Sequence, residues 1–285
     1  MRFPALATAI TVVFFVALFS GCGSLEEAIR VTPKPDAKVL GASVRNLKLR
    51  SVDVVFDIEV SNPYTVSLPL IDLSYTIGSS GQQLLSGSIK PSGSIPAGGS
   101  SVIQLPARVD LESVLQILPA VKPGAVVPYS AQIQVIVNAP LLGEIDLPVR
   151  RNGEIPVPAI PEVTLVSLDV LNFGLDEVKA EARLRVKNTN RFHMQFSGLR
   201  FDLALGDRTV ARARLRNSSK LAPGQIAVLK IPVTFFTNAL GAGALDLLSG
   251  SDAAYAITGK IDVMTRFGEM VLPFSERGET IMRRQ

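Results

Sequence analysis

Between residues 52 and 60, apolar Val52, Val54, Phe56, Ile58 and Val60 interleave with Asp53, Val55, Asp57 and Glu59, and further on Val178, Ala180, Ala182, Leu184 and Val186 interleave with Lys179, Glu181, Arg183, Arg185 and Lys187. A period of two puts each apolar set on one face of an extended chain, so both stretches predict half-buried β-strands. Further strands are expected at residues 40–49, 68–78, 83–90, 100–109, 129–138 and 143–150, with turns such as Pro96-Ala97-Gly98-Gly99 between them. About seven short strands in roughly 110 residues favour an antiparallel β-sandwich of the immunoglobulin or fibronectin type III kind. One stretch has a different period: after the capping residue Asp110, apolar Leu111, Val114, Leu115 and Leu118 recur at helical spacing. A short helix is therefore expected between the fifth and sixth strands.

The pattern occurs twice. Shifting the chain by 126 residues lays "VSNPYTVSLPLIDLSYTI" from Val60 onto "VKNTNRFHMQFSGLRFDL" from Val186, with Asn62 on Asn188, Gly98 on Gly224 and Tyr129 on Tyr255. After one deletion, Gly143-Glu144 meets Gly268-Glu269 and Pro148 meets Pro273. The chain thus reads as two tandem all-β sandwich domains, residues 38–150 and 163–280, each with one short helix; residues 239–248 answer the first helix, weakened by Gly241 and Gly243. Residues 151–162 form a Pro-rich connection, and repeated proline predicts an extended, semi-rigid linker. Pro63 lacks an amide hydrogen, so Asn62-Pro63 ends a strand and turns the chain. Because Asn188 repeats the position, the corner belongs to the fold, and both asparagines are expected to hydrogen-bond their own loop backbone.

With 47% hydrophobic and 19% charged residues, the chain has the composition of a folded protein and not of a disordered one. At the start, Arg2 precedes an apolar run from Phe3 to Phe19 and then Ser20-Gly21-Cys22-Gly23. These small residues before a lone cysteine resemble the bacterial lipobox; an uncleaved membrane anchor or an incidental cysteine is the alternative reading. The resemblance implies a signal peptide over residues 1–21, thioether lipidation and N-acylation (palmitate-type chains) at Cys22, and a tether over residues 22–37. Several acyl chains exceed what stable anchoring needs. Gly23 in place of Asp implies the outer membrane, with the protein facing the periplasm.

Each copy carries an Asn-Pro-Asn-like corner after its second strand, as Asn62-Pro63-Tyr64 and Asn188-Thr189-Asn190, followed by aliphatic and aromatic strands and a short helix before the last hairpin. This unit resembles the water stress and hypersensitive response domain of type 2 late embryogenesis abundant proteins. The resemblance implies a small β-sandwich with one helix and a non-catalytic role in limiting damage during drying, freezing or heat.

Little in the chain points to catalysis. The sole histidine, His193, has no partner in view for acid–base work, the sole cysteine cannot form a disulfide, and no set of residues has metal-ligand, phosphate-loop or nucleophile-elbow spacing. No cofactor or metal is expected. Asn217-Ser218-Ser219 matches a glycosylation acceptor but reads as a polar turn. Charge is more informative: residues 38–150 hold eight Lys or Arg and eight Asp or Glu, whereas residues 163–285 hold seventeen and twelve. Lys179, Arg183 and Arg185 stand where the first copy has Asp53, Asp57 and Glu59, and Arg212, Arg214 and Arg216 stand where it has Ser86, Ser88 and Lys90. These six residues are the expected basic contact face, suited to anionic lipid headgroups, acidic stress-labile clients or the acidic face of another copy. Without interleaved aromatic residues nucleic acid is not an expected partner. An envelope scaffold or lipid-binding module is the second functional expectation.

Overall fold

The computed structural model of the protein describes residues 33–140, 142–174, 176–206, 208–216, 219–236 and 252–284. In the first copy one layer is formed by β1 (Asp36–Arg45), β2 (Ser51–Ser61) and β6 (Ser100–Asp110), in the order β1-β2-β6. The facing layer contains β3 (Leu68–Ser79), β4 (Gln82–Ile89), β7 (Val126–Ala139) and β8 (Gly143–Pro156) in the order β4-β3-β7-β8, with the two-residue β5 (Ser94–Ile95) on β3. All pairings here are antiparallel. The second copy repeats the plan with β9 (Glu162–Phe173), β10 (Glu177–Lys187) and β14 (Ile226–Phe236) facing β11 (Met194–Leu205), β12 (Arg208–Leu215), β15 (Asp252–Thr265) and β16 (Gly268–Arg284); β13 (Ser219–Leu221) pairs with β11. Two tandem antiparallel sandwiches are what the period-two pattern predicts.

Alternation explains which side chains meet. Val52, Val54, Phe56, Ile58 and Val60 of β2 are buried, as are Val178, Ala180, Ala182, Leu184 and Val186 of β10. Layer meets layer where the Phe56 ring packs edge-on against Tyr129 of β7, with centroids 6.2 Å apart. Burying a Val, Ile or Phe side chain stabilises by about 1.5–3 kcal/mol, and this repeated inward row supplies most of the driving force. Opposite Tyr129 in the register stands Gly153, and opposite Tyr255 stands Gly278. A Cβ on Gly153 would lie 2.5 Å from the Tyr129 hydroxyl, so each glycine gives its tyrosine room to lie across the neighbouring strand.

The predicted helix is present as α1 (Leu111–Ile117), with the Asp110 carboxylate accepting from Ser113 N at 2.7 Å and with Leu111 and Val114 buried. It follows β6 because the short β5 adds one strand to the count. Its counterpart at residues 239–248 lies outside the described residues, as do Cys22 and the Asn217-Ser218 pair.

Three local differences from the sequence reading have physical causes. β1 runs from Asp36 to Arg45 and not over 40–49, because Asn46 takes a left-handed φ of 50° and binds Asp53 Oδ2 through its side chain at 2.7 Å. The expected linker is shorter than residues 151–162: Arg151 to Pro156 continue β8 in register with Val126 to Ala131, so proline ends this strand and does not start a free spacer. Finally, β16 is longer than its counterpart β8, and Ile281–Arg284 pair in parallel with Ser167–Val170 of β9, which joins the two layers of the second sandwich along one side.

Candidate functional site

Each copy buries an asparagine side chain at its corner. Asn62 is 2% exposed; its Nδ2 donates to Val66 O (2.8 Å), Ile95 O (3.1 Å) and Pro96 O (2.9 Å), and its Oδ1 accepts from Tyr64 N (2.9 Å). Asn188, 0% exposed, repeats the set with Phe192 O (2.9 Å), Leu221 O (3.1 Å), Ala222 O (3.1 Å) and Asn190 N (2.9 Å). One amide group thus ties the backbone of two loops together, donating to their carbonyls and accepting from one of their N–H groups. Pro63 sits exposed on the turn, with nothing required of an N–H it lacks.

The third corner position differs between the copies, and the structure shows what that difference does. Asn190 Oδ1 accepts from Ala159 N (2.8 Å), its Nδ2 donates to Ala159 O (3.1 Å), and Thr189 Oγ1 donates to Ile160 O (3.0 Å). Nearby, Gly124 of the first sandwich donates to Val157 O (2.6 Å) and accepts from Arg191 N (2.7 Å). The second corner therefore grips the linker, while among the described residues Tyr64 at the equivalent place bonds only within its own copy, to Asn62 Oδ1 and Gly98 N. Sequence pattern alone does not bring residues 124, 159 and 190 together.

The six expected basic-face residues do not form one surface. Val186 of β10 and Leu215 of β12 line the same internal void, so Lys179, Arg183 and Arg185 point outward from one layer and Arg212 and Arg214 from the opposite one, with Arg216 exposed just past the end of β12. On β10 the charges are largely met: Arg183 Nε lies 2.7 Å from Oδ2 of buried Asp169, an ion pair without hydrogen-bond geometry, and 3.4 Å from Glu181, while Lys179 Nζ lies 3.1 Å from Glu177. The first copy answers in the opposite sense, with Asp53 bound by Arg108 at 2.8 Å, Asp57 by Gln104 at 2.9 Å and Glu59 paired with Lys38. The Arg108 guanidinium holds the Asp53 carboxyl below the usual carboxylate range, and the backbone N–H of Ser113 does the same for Asp110. On β12, by contrast, Arg212 has Asp202 at 3.5 Å, and Arg214 has no ion-pair partner among the described residues.

His193 is exposed just past the second corner, and among the described residues no group of three His, Cys, Asp or Glu side chains could hold a metal ion. Between the layers of the second sandwich lies an apolar void of about 10 Å³ lined by Val186, Phe196, Leu199, Leu215, Leu229 and Ile261. That is about the room one water needs, far below a lipid chain.

Comparison with known proteins agrees with the duplication. The family model described as late embryogenesis abundant protein matches residues 57–153 and again residues 183–278. The desiccation protectant protein Lea14 homolog of Glycine max is 25% identical over 137 residues, covering 48% of this chain and 90% of the relative. Late embryogenesis abundant protein Lea14-A of Gossypium hirsutum is 25% identical over 130 residues, 46% of this chain and 86% of the relative. A late embryogenesis abundant protein of Arabidopsis thaliana, solved in solution, aligns at 26% identity with a TM-score of 0.40, covering 52% of this chain and 86% of that one. Matched twice along more than half its length, with the same buried asparagine corner in each match, the chain belongs to the type 2 late embryogenesis abundant family as a tandem form.

Proposed function

We propose that this protein is a non-catalytic protectant that limits damage to proteins or membranes during desiccation, freezing or related stress, acting through its folded exterior while lipidation at Cys22 holds it in the cell envelope, at the outer membrane facing the periplasm. The observation that carries the reading is the double family match, together with relatives whose names are those of desiccation protectants. Physical reasoning limits the mechanism. The apolar side chains are committed to two cores, so contact with other molecules falls to outward charged and polar rows and to scattered exposed aliphatic residues. The corner amides are satisfied by the chain's own carbonyls, and this part of the fold does not depend on bound water that drying would remove.

A deletion strain, dried and rehydrated, tests the reading when complemented with the wild-type chain and with Cys22→Ser. Restored survival with wild type only is the expected result, since location is part of the proposal. Equal survival of deletion and parent strains would sink the protectant role, and a single constitutive partner recovered from unstressed envelopes would favour the scaffold expectation in its place. Equal rescue by Cys22→Ser would remove the anchor while keeping the protectant.

A further inference from the structure

The duplication supplies an internal control for the outer face of the β12-β11-β15-β16 layer. Across that face the register places Arg214 beside Arg200, Arg200 beside Lys260 and Lys260 beside Pro273. The same row in the first sandwich reads Ser88, Ser74, Gln134 and Pro148. The next row reads Arg212, Asp202, Thr258 and Ser275, against Ser86, Thr76, Gln132 and Arg150. Beyond the row on the other side, exposed Met264 (45%) and Val271 (54%) face outward from β15 and β16, where the twin has Asn138 and Asp146.

Three cations on adjacent strands, about 4.8 Å apart from strand to strand, repel one another. Only part of this charge is met within the sheet: Arg200 pairs with Asp262 at 3.0 Å and Arg212 with Asp202 at 3.5 Å, whereas neither Arg214 nor Lys260 has an ion-pair partner among the described residues. The twin row holds the same strands together with serine and glutamine, so the fold does not need the cations. We infer that this face, centred on Arg200, Arg214 and Lys260 with Met264 and Val271 at its edge, is a docking surface for a bilayer bearing anionic headgroups. An open sheet face of cations with exposed apolar side chains beside them matches an interface where headgroup charge overlies acyl chains. A nucleic acid would want aromatic rings among the arginines, and these outward rows carry none.

The inference does not rest on lipidation, and its test uses the full chain carrying Cys22→Ser. Binding is measured by co-sedimentation with phosphatidylcholine vesicles and with vesicles in which about a third of the lipid is phosphatidylglycerol. The ratio of the two cancels whatever the apolar N-terminal run contributes to both. The test variant grafts the twin's residues: Arg200→Ser, Arg212→Ser, Arg214→Ser and Lys260→Gln. Expected are an anionic-over-neutral preference in the parent that disappears in high salt, and a fall in that preference of about tenfold or more in the variant at an unchanged melting temperature. A second variant, Met264→Asn with Val271→Asp, should weaken binding to the anionic vesicles. An unchanged ratio in the grafted protein overturns the inference, and so does binding to an acidic polymer such as polyglutamate without binding to anionic vesicles. Either outcome leaves the protectant reading standing, because survival on drying is measured separately.

Discussion

At the scale of single residues, the two asparagine corners concentrate more hydrogen bonding per side chain than any other position described above. Replacing Asn188 by alanine takes its donor from Phe192 O and Leu221 O and its acceptor from Asn190 N–H in a buried loop, while Ala222 O keeps Gln225 N; with about 1–3 kcal/mol at stake for each unsatisfied group and partial relief by water, a loss of about 3 kcal/mol is expected on urea denaturation. Asn188→Asp keeps the shape but turns the donating amide into a second acceptor facing the same carbonyls. It should be at least as destabilising at neutral pH, and a mild effect would show that shape and not donation matters. Asn62 should behave alike in the first sandwich. Acid acts on other residues. Asp53 and Asp110 titrate below their unfolded values, near 3.9, because Arg108 and the Ser113 N–H favour their charged forms. A depressed folded value means that this stabilisation is complete above the unfolded value and drains away as pH falls through the folded one. Melting temperature should therefore drop below about pH 4, and the Asp53→Asn variant should show a shallower drop.

Elements show how one strand plan accepts two cores. On β15 Gly259 lies between Phe201 and Phe274 in the register, and a Cβ there would come within 2.8 Å of both side chains and 2.2 Å of Arg200 O. In the first sandwich the equivalent positions are Ile133, Tyr75 and Val149. Volume has moved from the middle strand to a neighbour while the layer stays filled, as a close-packed interior requires. Gly259→Ala should cost about 2 kcal/mol or more, since backbone and not a flexible tip stands in its way. Measured by thermal unfolding, that cost should persist when Phe274→Val is combined with it, because the smaller side chain clears only the ring contact and leaves Arg200 O, 2.2 Å from the new Cβ, in place.

For the whole molecule, the linker decides whether the sandwiches act separately. Asn190 brackets Ala159, Gly124 is shared between Val157 and Arg191, and Arg266, lying over the Phe267 ring at 4.6 Å, reaches Glu154 at 2.7 Å. Gly124 sits at a φ of +91°, and a Cβ would lie 2.6 Å from Thr189 O, so only glycine fits this crossing. The parent should unfold in one calorimetric transition. Gly124→Ala should split it in two, whereas Arg266→Ala, which removes an exposed ion pair worth at most about 1 kcal/mol, should not. A single transition in the Gly124 variant would mean that the domains are coupled elsewhere.

What the amino-acid order determined by itself is local or periodic: the alternation of β2 and β10, the Asp110 cap of α1, the duplication at an offset of 126 and the shared Asn corner. Each depends on neighbours along the chain or on comparison of the chain with itself. Cross-strand register between distant segments has no such signature. The alternating arginines of β12 were legible as an outward row, but their company was not, because Arg200 and Lys260 reach them through pairings set by the packing of whole layers. For the same reason the cations of β10 and β12 read as one face in the sequence and stand on opposite faces in the fold. The parallel seam of β16 with β9 and the grip of Asn190 on Ala159 were likewise decided only by tertiary structure, since each joins groups that no pattern of polar and apolar positions relates.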